Sequence, residues 1–105
     1  MIARLWSGRS TNAKADTYSR HFITTVVPRL ETIAGHQGAY LLRRERDGQV
    51  ELLALTLWDS IETIKKFAGP DPEVAVVEPE GRACLTQIDE FATHYDVAHV
   101  AVRNT

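Results

Sequence analysis

The chain has 105 residues, of which 44% are apolar and 25% charged, with a formal net charge of −2. That length fits one domain burying about two-thirds of its unfolded surface, and the near-neutral balance gives no general electrostatic pull toward nucleic acid or anionic membrane. The lone cysteine, Cys84, rules out an intrachain disulfide framework and any CxxC metal or redox motif.

Residues 2–9, IARLWSGR, read as a strand with Ile2, Arg4 and Trp6 on one face and Ala3, Leu5 and Ser7 on the other. Thr11 and Asn12 can cap a following helix. Its apolar stripe is Tyr18, Phe22, Val26, Leu30 and Ile33, a helical spacing. Pro28 interrupts the stripe, so the helix is expected to stop or kink near Val27 and continue as a short second piece. Gly35 and Gly38 bracket the exit loop.

Tyr40 to Arg46 and Gln49 to Trp58 flank Asp47-Gly48, a favoured two-residue hairpin turn. From Leu52 to Leu57 both alternating sets are largely apolar, as in a strand buried on both faces. One helix layer covers only one face of a small sheet, so a second copy of the chain is expected on the other, giving a homodimer. A second helix opens at Asp59 or Ser60, where Asp59 and Glu62 have the spacing of a capping box. Ile61, Ile64 and Phe67 supply its apolar side, and Gly69-Pro70 ends it.

Residues 70–82, rich in Pro, Asp, Glu and Gly, are expected to form a loop carrying a turn or two of helix. A last strand fits Glu90 to Val97. One domain is expected over residues 1–99, with a frayed tail at 100–105. The resulting order is β-α-β-β-α-β, an α+β ferredoxin-like arrangement with a four-stranded antiparallel sheet. No apolar run approaches the ~20 residues of a membrane span, and the first residues lack a signal-peptide h-region. A cytoplasmic location is expected.

These features together resemble the antibiotic biosynthesis monooxygenase family of dimeric α+β barrels. The resemblance rests on IARLW, on Pro28 and Leu30 leading to Ala34-Gly35-x-x-Gly38, and on the hairpin. It rests most on LTLWDSIETIKKFAG (residues 55–69) with the acidic-proline loop and His94-Tyr95-Asp96-Val97 after it. It implies two facing sheets in a dimeric barrel. Trp58 matches the strand-end tryptophan that lines the pocket in several family enzymes. Some polyketide monooxygenases have asparagine where this chain has Ala54. Haem-degrading members use an asparagine on the first strand, near Leu5 and Trp6 here, and a histidine after the tryptophan. No histidine lies between His36 and His94, so the resemblance does not carry haem degradation.

Trp58, Trp6, Arg4, Tyr18 and Phe22 are the candidate substrate-binding residues. Each also has a packing role open to it: Trp58 as core, Trp6 as core or interface, Arg4 as a snorkelling side chain. His94 and Tyr95 are the candidate catalytic residues, as general base and hydrogen-bond donor, although alternation sends them to opposite faces. His21 is expected in solvent, His36 in a plain turn, Arg82 in an ion pair with Glu78 or Glu80, and Cys84 buried and inert. Arg43, Arg44 and Arg46 beside Glu45 and opposite Glu51 read as a solvated hairpin. No spacing suggests a metal site, and no cofactor is expected. Two functions remain open. One is cofactor-independent oxidation of a small phenol, hydroquinone or polyketide-like aromatic between sheet and helices. The other is a non-catalytic dimer that binds a small molecule or serves as a stress-associated scaffold.

Overall fold

The computed structural model describes residues 1–103. In chain order the elements are β1 (Ile2–Ser10), α1 (Asn12–His21), a π-helical turn (Phe22–Val26), α2 (Val27–Glu31), β2 (His36–Arg46), β3 (Gln49–Trp58), α3 (Ile61–Ala68), α4 (Pro79–Arg82), β4 (Gln87–Ile88) and β5 (Thr93–Asp96). The strands form one antiparallel sheet in the order β2-β3-β1-β4, with β5 also on β1. The fold is α+β and ferredoxin-like, and β1 and β3 are central, as the doubly apolar sequence of β3 requires.

Local chemistry explains most boundaries. Thr11 caps α1, its hydroxyl accepting from Lys14 N at 3.2 Å. Pro28 does not end the helix. An α register would drive its ring toward the carbonyl four residues back. The chain instead widens into a π turn, in which Val27 N–H reaches Phe22 O, and Pro28 occupies the first turn of α2, where a missing N–H costs nothing. The hairpin turn has positive φ at Asp47 (53°) and Gly48 (77°), the type I′ geometry expected of Asp-Gly.

Two sequence expectations need correction. The helix cap is Ser60, which accepts from Thr63 N at 3.3 Å, and Asp59 instead accepts from Gln37 Nε2; the Asp59–Glu62 box does not form. The last strand is not continuous over Glu90 to Val97. Only β5 (Thr93–Asp96) forms within it, because residues 90–92 pair with the preceding loop, and β4 (Gln87–Ile88) is a further short strand before it, so the sheet has five strands in place of the expected four. Ala75 N donates to Glu90 O at 3.0 Å and Ala92 N to Glu73 O at 2.7 Å, and Val74 bridges Phe91. Of the expected tail, residues 100–103 carry no regular structure, and residues 104 and 105 lie outside the described residues.

All the helices pack on one sheet face, in two clusters. The first joins Trp6, Val50 and Leu52 to Ala15, Tyr18 and Phe22; the second joins Trp58 to Leu30, Ile64 and Phe67. Leu30, Leu52 and Ile64 are fully buried, contributing roughly 2 kcal/mol each. The polar side chains of Arg4 and Thr56 are buried on this same face, at the seam between the clusters.

Candidate functional site

A small cavity of about 40 Å³ lies at that seam. Alternation along β1 sends Arg4 and Trp6 into it, and the four-residue spacing on the first helix adds Tyr18 and Phe22. Four of the five expected binding residues therefore meet in one place. Trp6 is fixed by its Nε1–H, which donates to Asp89 O at 2.7 Å, and by the Tyr18 ring 6.3 Å away. Gly8 makes room for it: a Cβ there would lie 3.0 Å from the indole edge. The volume is close to the ~30 Å³ share of one water molecule, so an aromatic guest requires the walls to move apart. Val76 lines one side and belongs to the loop that covers the cavity.

Arg4 is the chemically unusual wall residue. Only 5% of it is exposed. Its Nη2 donates to Val74 O at 2.8 Å and Pro72 O at 3.4 Å, its guanidinium carbon stands 5.6 Å from the centre of the Phe67 ring, and its buried Nε has no partner among the described residues. Among the described residues no carboxylate pairs with it. Burial pulls its pKa down to about 10, which leaves it cationic at neutral pH. An uncompensated buried charge costs several kcal/mol, so this residue is expensive as mere packing.

His94 stands directly opposite Arg4 across the β1–β5 pair. Its Nε2 is buried without a partner among the described residues. Burial lowers its pKa, the Arg4 charge lowers it further, and Glu73 opposes both. The imidazole is thus neutral at pH 7, the form that accepts a proton. Tyr95 pairs with Ala3 on the opposite face and is 59% exposed. Within one chain it does not reach the cavity, and no His94–Tyr95 pair exists.

Of the two readings left open for Trp58, wall or core, its place in this cavity's surroundings is the core one: it is absent from the lining. It is fully buried, and its Nε1–H donates to Thr56 Oγ1 at 2.9 Å. Phe67 lies 5.8 Å away and the His36 ring meets it edge-on at 5.1 Å. Thr56 and Phe67 line the cavity and Trp58 stands behind them. Sequence reasoning missed both, although the signals existed: Thr56 shares the alternating set of Trp58, and Phe67 lies on the apolar stripe of α3.

The remaining candidates sort by contacts distant in sequence. His21 is not in solvent: it packs 6.0 Å from Tyr18, beneath Gly81, with Glu78 at 4.0 Å. Glu78 also pairs with Arg29 at 3.6 Å, while Arg82, exposed on α4, forms neither expected ion pair. His36 begins β2 and packs on Trp58, so it is more than a turn residue. Tyr18 is pushed up to about 12 by burial, then by Cys84 and Glu78, which keeps its hydroxyl protonated. Cys84 is buried, its thiol facing Glu80 O at 3.5 Å. The hairpin arginines are surface groups, with Arg44 at 3.4 Å from Glu51 and Arg43 at 2.9 Å from Asp16. No three metal-ligating side chains cluster among the described residues. A larger open cleft of about 410 Å³ beside the start of β2 holds His36 and Glu31 but no Phe, Tyr or Trp wall.

No helix among the described residues is long and apolar enough to cross a membrane. Searches of protein-family profiles and of curated proteins find no match. Among solved structures the chain resembles a proposed antibiotic biosynthesis monooxygenase from Bacillus cereus, with 14% identity and a TM-score of 0.67 over 100% of this chain and 98% of that one. At that identity the likeness establishes the fold alone.

Proposed function

We propose that the protein binds a small aromatic molecule in the seam cavity and oxidises it with O₂ without a cofactor. The observation that carries this reading is the convergence of Trp6, Tyr18, Phe22 and Phe67, from four elements, on one cavity containing a buried arginine. For a phenol the reaction balances without an external reductant: phenol and O₂ give a quinone and water. One oxygen atom ends on the ring carbon and the other leaves as water. The protein's tasks are to orient the ring, exclude water and accept a proton. Neutral His94 is the proposed proton acceptor, reached once the ring displaces the covering loop.

The active form is proposed to be a homodimer that joins the uncovered faces of two sheets. Tyr40 and Leu42 are exposed there at 56% and 47%, beside the half-buried Leu53, Leu55 and Leu57. A reducing cytoplasm suits the lone thiol. A second reading, binding without turnover, is favoured by the position of Tyr95 on the far face, which leaves His94 without the expected donor. An oxygen electrode with a panel of phenols and hydroquinones decides between them. Uptake above background that falls in Trp6→Phe supports oxidation, and saturable binding with no uptake supports the second reading.

A further inference from the structure

We infer that the ligand of this cavity is an aromatic anion, a planar ring whose negatively charged oxygen sits against Arg4; this rests on the aromatic-binding reading above. Six arginine or lysine ion pairs and a His21–Glu78 contact stand among the described residues, and Arg4 is in none of them. Among the described residues the only hydrogen bonds of its side chain go to the backbone carbonyls of Pro72 and Val74, which carry no net charge. Its Nε–H is buried and unspent, although the side chain borders the cavity. The nearby His94 brings no negative charge. Glu73 is exposed and pairs with no cation among the described residues.

A neutral ring entering this cavity would strip water from the guanidinium and leave its charge uncompensated. An anionic ring supplies both the missing counter-charge and an acceptor for Nε–H, a charge-assisted bond that is stronger than a neutral one. The apolar body of the ligand would then face Trp6, Tyr18 and Phe22. An aryl carboxylate and a phenolate share this chemistry, and either could occupy the cavity.

Isothermal titration calorimetry on the full chain tests the inference with two near-isosteric pairs: benzoate against benzamide, and 4-nitrophenolate against 4-nitroaniline. At least one anion should bind about tenfold or more tightly than its neutral partner, the equivalent of one pKa unit of charge stabilisation. The winning pair identifies the anionic group. Arg4→Met should abolish the preference with the folded circular dichroism spectrum retained, and Arg4→Lys, which keeps the charge, should preserve part of it. Should Arg4→Met fail to fold, the wild-type comparison and Arg4→Lys still decide. Equal binding of anion and neutral isostere would overturn the charge inference and leave the aromatic site standing; no binding of any of the four would overturn both.

Discussion

The two faces of the sheet are built from the same strands and have different neighbours. On the covered face Trp6, Leu52 and Trp58 are buried under helices, together with the polar side chains of Arg4 and Thr56. On the open face Leu53, Leu55 and Leu57 of β3 are only half-buried, and Tyr40, Leu42 and Tyr95 are exposed. A face meant for water would alternate to polar residues, yet β3 keeps leucine on both sides. The covered face therefore holds the buried polar side chains, and the open face has the apolar composition on which the proposed homodimer rests.

The largest effect that sharpens this contrast is on stability. Leu52→Ala, beneath the helices, should cost about 3 kcal/mol in urea unfolding at any protein concentration. Its sequence neighbour Leu53→Ala should cost about 1 kcal/mol or less in dilute protein, and more as concentration rises, because in the proposed homodimer its partners would come from a second chain. A Leu53→Ala cost that does not change with concentration would break the contrast.

Next in size, Leu55→Asp places a charge at the centre of the open face, where burial would cost several kcal/mol. Light scattering should show wild-type dimers and Leu55→Asp monomers with the same circular dichroism spectrum. Wild-type protein that stays monomeric at high concentration would remove the interface.

A smaller effect is expected from pH. Burial lowers the pKa of both His36 and His94 from the ordinary 6.5, so below that value the unfolded chain binds more protons than the folded one. Stability should be fully present above pH 6.5 and decline as pH falls through 6.5 toward the lowered folded values. Urea midpoints at pH 7.5 and pH 5 measure this, and His94→Gln should reduce the difference. A midpoint that rises on acidification would contradict the buried, neutral state of these rings.

Features fixed by local chemistry were readable from sequence. The Asp47-Gly48 turn needs two positive φ angles, and few residue pairs supply them. Strict alternation put Arg4 and Trp6 on one face, and helical spacing put Tyr18 and Phe22 one turn apart. Features set by contacts distant in sequence were not readable. Nothing near His21 announces that Gly81 and Glu78 will cover it. The late start of the last strand arises from pairing of residues 90–92 with Glu73 and Ala75, in a loop with no strand pattern of its own. Trp58 was ambiguous for a related reason: its place at the end of β3 suits a cavity wall and a core plug equally, and only the positions of Thr56 and Phe67 put it behind the cavity.

The most direct test of the cavity on the covered face uses the two tryptophans separately. Trp58→Phe leaves Trp6 as the only indole, at the cavity wall, and Trp6→Phe leaves Trp58, behind it. Titrating both proteins with a small phenol should give saturable fluorescence quenching in Trp58→Phe and none in Trp6→Phe. Quenching that persists in Trp6→Phe, or none in a folded Trp58→Phe protein, would contradict a ligand site at Trp6.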